Sequence, residues 1–163
     1  MIMNKQKGLV IAGFPGVGKT FAHQNMPLKT VDSDSSRFSK TENGSKHPFF
    51  PKNYIEHIKD MIEVADIVFV STHKIVREAL IADGISFCVV YPEIASRGVY
   101  MKRYAQRGSG QDFIDLVNNN WSNWIGEIEN DERFGRVMLT GNTTLMDLMT
   151  NPDGIKLMKG SIS

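Results

Sequence analysis

A short apolar run, Gly8-Leu9-Val10-Ile11-Ala12, leads straight into a glycine-rich octet, Gly13-Phe14-Pro15-Gly16-Val17-Gly18-Lys19-Thr20. No other stretch of the chain restricts the fold as strongly. An apolar run without a polar face reads as a strand covered on both sides. The octet fits the pattern of glycine, four residues, glycine, lysine, then serine or threonine, which wraps a polyphosphate. Backbone N–H groups reach phosphate oxygens only where side chains are missing and positive φ is tolerated, and glycine meets both conditions. A helix leaving such a loop adds partial positive charge at its N-terminus. Gly13, Pro15, Gly16, Val17, Gly18, Lys19, Thr20 and Phe21 are therefore expected to line a nucleotide cradle. Within it Lys19 reaches the terminal phosphates, and the Thr20 hydroxyl meets a Mg²⁺ that bridges them.

Three later runs share the apolar character of the first, Asp66 to Ser71, Ile85 to Tyr91 and Arg136 to Thr140, and Lys29 to Asp32 is a weaker fifth. Helical periodicity fills the gaps. Tyr54 to about Ala65 carries Ile55, Ile58, Ile62 and Ala65 on one stripe, with Asn53 and Glu56 at capping-box spacing. Lys74 to Ala82 is stopped by Asp83-Gly84, and a helix from Glu93 to Arg107 ends at Gly108-Ser109-Gly110. Asp112 to Asn130 places Phe113, Val117, Trp121, Trp124 and Ile128 on one side, where both tryptophans read as core anchors in preference to the alternative, stacking on a substrate base. Thr143 to Met149 makes a short helix, and residues 153–163 form a tail expected to fray. Alternating strand and helix implies an α/β chain with three α/β/α layers and a five-stranded, mainly parallel sheet. The polar stretch Ser33 to Pro51, which follows the second strand, is the one long irregular segment.

The 163 residues suit one domain. Lys+Arg 19 against Asp+Glu 18 leaves a net charge of +1, so nucleic acid is an unlikely partner and no uniform field attracts a membrane. No apolar stretch approaches the roughly 20 residues of a membrane helix, and no signal core precedes Gly8. A single cysteine, Cys88, excludes an internal disulfide framework and fits a cytoplasmic setting. Its apolar flanks mark it as a core thiol. His23, His47, His57 and His73 form no metal-ligand spacing. Oligomeric state is not legible at this level.

In a parallel sheet, ligands gather beyond the carboxyl ends of the strands, which brings Asp32-Ser33-Asp34 beside the glycine-rich loop. Asp66 precedes its strand and falls on the opposite edge. The third strand ends in Ser71-Thr72-His73, without the aspartate of a motor-type ATPase. Arg97, Lys102, Arg103 and Arg107 place four cations within eleven residues, and Arg103 and Arg107 share a helix face.

From residue 8 to about 148 the chain resembles the small phosphate-loop kinases related to nucleoside monophosphate kinases and shikimate-type kinases, with the octet as the one specific motif. The resemblance implies a P-loop fold, ATP and Mg²⁺ as cofactors, and a small-molecule acceptor. It makes residues 33–52 an acceptor-binding insert and residues 97–110 an arginine-bearing lid, with Gly141-Asn142-Thr143 beside adenine. Asp32 would hold the metal with Thr20, and Asp34 would meet the acceptor as base or metal support. Arg37, His73, Arg77 and Arg97 would contact the acceptor, while Arg103 and Arg107 would join Lys19 in stabilising the transferring group. The expected activity is transfer of the γ-phosphoryl of ATP to a nucleoside or deoxynucleoside monophosphate. The alternatives are a hydroxyl kinase acting on a small metabolite, nucleoside or polynucleotide end, and a nucleotide-dependent regulatory ATPase.

Overall fold

The structure, a computed structural model, describes residues 6–162. Strands form where the apolar runs lie: β1 (Leu9–Gly13), β2 (Thr30–Asp32), β3 (Ile67–Val70), β4 (Phe87–Pro92) and β5 (Gly135–Leu139). All pairings are parallel, in the order β2-β3-β1-β4-β5, with Ala12 of β1 beside Val70 on one side and Val89 on the other. Every residue of β1, β3 and β4 is buried, as strands without a polar face require.

Among the described residues eight α-helices accompany them, six between strands and two after β5: α1 (Lys19–Asn25), α2 (Ser36–Ser39), α3 (Lys52–Val64), α4 (Lys74–Ala82), α5 (Arg97–Gln106), α6 (Gln111–Glu129), α7 (Leu145–Thr150) and α8 (Gly154–Ile162). The connection from β1 runs outward to β2, whereas β2 to β3, β3 to β4 and β4 to β5 run the other way. Right-handed crossovers then place α1 on one face of the sheet and α3, α4, α5 and α6 on the opposite face. The packing agrees, since α1 meets α7, α7 meets α8, and α8 covers β5 and β4, while α3 meets α4 and α5 meets α6. Three layers result. The chain leaves β1 and β3 toward opposite faces, which opens a crevice beyond their carboxyl ends.

Helix ends follow local chemistry in two places. After α4, Gly84 has φ +71° and the Gly84 and Ile85 N–H groups donate to Ile81 and Leu80. After α5, Gly108 has φ +80° and the Gly108 and Ser109 N–H groups donate to Ala105 and Tyr104. Both are Schellman closures that need a left-handed residue.

Four expectations are corrected. No capping box starts α3: Pro51 precedes its first residue, and Asn53 lies inside the helix with its carboxamide donating to the Phe38 carbonyl at 2.9 Å. The helix read from Glu93 is a 3₁₀ turn over Ile94–Ser96 followed by α5, because the Glu93 backbone is still extended, with its N–H donating to the Leu139 carbonyl at 2.9 Å. The tail does not fray over its described residues; it forms α8, whose Met158 is buried and whose Ser161 hydroxyl donates to the Met158 carbonyl. Ile155, Met158 and Ile162 supply a stripe that a reading of the turn at Asn151-Pro152-Asp153-Gly154 alone overlooks. Of the two tryptophans, Trp121 is fully buried and Trp124 only partly.

Candidate functional site

The glycine-rich loop is shaped by what its carbonyls touch. Gly16 and Gly18 adopt φ +89° and +98°, so both need glycine. The Pro15 carbonyl accepts from the Tyr104 hydroxyl at 2.6 Å, the Gly16 carbonyl from Arg103 Nη1 at 2.6 Å, and the Val17 carbonyl from the Leu145 N–H at 2.8 Å. A planar trans peptide points its N–H away from its own carbonyl. The Gly16 and Gly18 N–H groups are thereby turned from the protein contacts. Among the described residues they donate to no backbone carbonyl, nor do those of Lys19, Thr20 and Phe21 in the open first turn of α1. The Val17 N–H is the exception, closing a turn onto Phe14 at 3.1 Å. Such a row of free donors at a helix start is a ready anion site.

Lys19 folds back across the loop until Nζ lies 3.4 Å from the Val70 carbonyl at the end of β3. Its methylenes cover Gly13, where an added Cβ would stand 2.6 Å from Cγ. Burial pushes the Lys19 ammonium below its usual range, Asp32 and Asp34 pull it back up, and Arg107 adds to the lowering. Lysine, both acids and the distal arginine therefore share one electrostatic neighbourhood. The Thr20 hydroxyl lies 3.4 Å from Asp32 Oδ2. Two hard oxygen donors at that spacing fit Mg²⁺, which takes one or two carboxylates and fills its remaining positions with phosphate oxygens and water. Among the described residues no cluster of three His, Cys, Asp or Glu side chains could cage a metal unaided.

The insert after β2 is folded. Asp34 Oδ1 accepts from the Ser36 N–H at 2.9 Å and starts α2, which leaves Arg37 exposed on that helix. Beneath it Ser33 Oγ sits 2.9 Å from His57 Nε2, the Tyr54 hydroxyl donates to the Ser33 carbonyl at 2.6 Å, and the Ser71 hydroxyl donates to Ser35 Oγ at 2.9 Å. Phe38 packs on Tyr54 and His57 with ring centroids 5.2 and 4.7 Å apart. These contacts tie the acid-bearing turn to α3 and to the end of β3.

The lid segment is a helix docked on the loop. A Cβ on Gly16 would come within 2.8 Å of Tyr104 and 3.2 Å of Tyr100, so α5 touches the loop at van der Waals range. Arg103 lies over the Tyr100 ring at 4.4 Å, and Arg107 over Tyr104 at 4.9 Å and Phe113 at 5.5 Å. Arg97 is tied instead to the Asn118 carbonyl of α6 at 2.6 Å. On the other flank, exposed Asn142 lies in the loop between Thr140 and Thr144; Thr144 and Asp147 form a reciprocal cap on α7, and Leu145 bonds the glycine-rich loop. Phe21 projects from α1, 58% exposed.

A cleft of about 120 Å³ opens beside the loop, walled by Phe14, Pro15, His73, Arg77, Trp124 and Glu127. Arg77 is buried and already engaged, with Nε donating to the Thr72 carbonyl at 2.9 Å and Nη2 3.4 Å from Glu127 Oε2. Burial lowers the His73 pKa, and the charges of Lys19 and Arg77 lower it further against the pull of Asp34. Tyr100, Tyr104 and Glu127 were not legible as site residues, and Trp124 only as the lesser alternative to a core anchor. The tyrosines stand four apart like the arginines beside them, a spacing that carried the signal of a second, loop-facing stripe.

No protein-family model matches the chain, and no curated protein matches it in sequence.

Proposed function

We propose that the chain is a phosphotransferase that uses Mg²⁺-ATP and moves the γ-phosphoryl group to a nucleoside or deoxynucleoside monophosphate. The observation that carries this reading is the convergence of free amide donors, a buried lysine and two carboxylates at one sheet edge. The Gly16, Gly18, Lys19 and Thr20 N–H groups bind the phosphate tail. Lys19, already desolvated, pairs with the terminal phosphate more strongly than a lysine in water. Thr20 and Asp32 would hold Mg²⁺, which supplies charge neutralisation across the phosphates. Arg107, stacked on Tyr104 and near enough to add to the lowering of the Lys19 pKa, stabilises the negative charge that builds on the transferring group, while Arg103 fixes the loop through the Gly16 carbonyl. Asp34, exposed at the end of β2, supports the metal or orients the acceptor, with Arg37 and His73 beside the acceptor's phosphate.

A second reading, a kinase for a small hydroxyl acceptor, draws on one observation. Arg77 and Arg97 already have protein partners, while Asp34 is exposed beside Lys19 and placed to take a hydroxyl proton.

A coupled ADP-release assay over the common nucleoside monophosphates, nucleosides and small alcohols, run beside calorimetric titration with Mg²⁺-ATP, tests both. Acceptor-stimulated ADP release is expected with a monophosphate, and Lys19→Ala should abolish it while the fold persists. Asp34→Asn should cost a hydroxyl kinase orders of magnitude and a monophosphate kinase much less. No heat with Mg²⁺-ATP would end the phosphotransferase reading.

A further inference from the structure

We propose that the cleft between α4 and α6 is the acceptor's base pocket, that it takes a single-ring base presenting N–H donors, and that Trp124 and Glu127 select it. The proposal rests on the phosphotransferase reading and adds to it the class of acceptor. Size comes first. The cleft offers about 120 Å³, and a protein cavity of about 150 Å³ is known to hold one benzene ring. The cleft is smaller still, so it encloses at most a single ring, and a fused purine would be left projecting from it.

The walls supply the chemistry. Trp121 is consumed by the core, fully buried with its indole N–H donating to the Ile94 carbonyl at 2.9 Å. Trp124 lies three residues on, about one turn further along α6, is only partly buried against the core, and lines the cleft. An aromatic ring at such a wall can stack a base without regard to sequence. Selection then falls to Glu127, whose side chain is 44% exposed while its partner Arg77 is 6% exposed. Arg77 is pinned to the Thr72 carbonyl and to Glu127, so it holds the carboxylate at the wall. Lys74 and Arg77 line the same cleft, so charge alone does not exclude a phosphate there, but Glu127 offers it no donor. A ring with an exocyclic amine or ring N–H meets an acceptor instead, the pairing by which carboxylates read cytosine.

The orientation is consistent with transfer. His73 and Pro15 line the mouth, and Lys19 Nζ lies against Val70 at the end of β3, three residues before His73. A base seated on Trp124 therefore directs its phosphate toward Lys19 and the glycine-rich loop.

Tryptophan fluorescence tests this without ATP. Cytidine, uridine, adenosine and guanosine monophosphates are titrated into the full chain, Trp124→Phe and Glu127→Gln, with calorimetry for affinity and circular dichroism for the fold. The pyrimidine nucleotides should quench the wild type and bind at least tenfold tighter than the purines. Trp124→Phe should lose the quench and weaken pyrimidine binding severalfold, and Glu127→Gln should weaken cytidine monophosphate about tenfold while Mg²⁺-ATP affinity is unchanged. Equal or tighter purine binding, or pyrimidine affinity unmoved by both substitutions in folded protein, overturns the pocket. If Mg²⁺-ATP binds with no pyrimidine preference, only the pocket falls; if Mg²⁺-ATP does not bind, the phosphotransferase reading falls with it.

Discussion

Lys19 stands close enough to His73, at the crevice between β1 and β3, to limit the charge that the imidazole can carry. Burial alone disfavours both cations, and the ammonium adds to the cost of protonating the imidazole. The His73 pKa is therefore held below its ordinary 6.5 in the folded state. Between the two values the unfolded chain binds more protons, so stability rises with pH there. The contribution is complete above the unfolded value and is lost as pH falls through the folded one. In a proton NMR titration His73 should show a midpoint below 6.5, and Lys19→Met should move it upward. A midpoint at or above the ordinary value, or one indifferent to Lys19, would mean that the two side chains are not neighbours in solution. The octet that contains Lys19 was readable because backbone chemistry dictates its glycines. Trp124 was readable only as a choice between core anchor and base stacker, because spacing along one helix places a side chain on a face without saying whether core or cleft lies opposite.

At the scale of elements, α5 determines the shape of the phosphate cradle. Its Tyr104 hydroxyl and Arg103 guanidinium take two successive loop carbonyls, and the peptide planes then turn the Gly16 amide toward the crevice. Tyr104→Phe keeps the ring against Gly16 and removes only the hydroxyl. It should cost about 1 kcal/mol of stability and weaken Mg²⁺-ATP binding severalfold, because the released peptide no longer holds its amide in place. Unchanged melting temperature and unchanged affinity together would show that α5 merely rests on the loop. The sequence carried the existence and order of these elements well, since apolar runs and the glycine stops at Gly84 and Gly108 are local signals. It carried the insert poorly. Phe38, Phe50, Tyr54 and His57 fold that segment onto α3 through contacts between residues up to about nineteen apart, which no short-range pattern records. Asn53 was misread for the same reason: its amide nitrogen is claimed by the Phe38 carbonyl, and its oxygen takes the neighbouring Tyr54 N–H from inside the helix instead of capping it at Glu56.

At the scale of the whole molecule, the sheet separates a chemical edge from a structural one. The carboxyl edge carries the loop, the acids and the cleft, while at the amino edge α8 lies over the start of β5 beside Cys88. Gly135 pairs with Cys88 there, and a Cβ on Gly135 would run into the Ser161 hydroxyl and backbone of α8. The same hydroxyl lies 3.4 Å from Cys88 Sγ. Burial pushes the Cys88 thiol up to about 11, so in the intact fold it is both covered and protonated. Gly135→Ala should therefore displace α8, cost roughly 1–3 kcal/mol through overpacking, and expose the thiol. The measurable sign is labelling of Cys88 by a thiol-specific disulfide reagent, slow in the native protein and much faster in the variant. Because the carboxyl edge lies at the other end of every strand, Mg²⁺-ATP affinity should stay within about twofold in the folded variant, a difference of less than roughly 0.5 kcal/mol. Labelling that does not accelerate would mean that α8 is not what shields the cysteine. Nucleotide affinity that falls in step with thiol exposure would mean instead that the two edges are one cooperative unit, coupled through the α8, α7 and α1 layer.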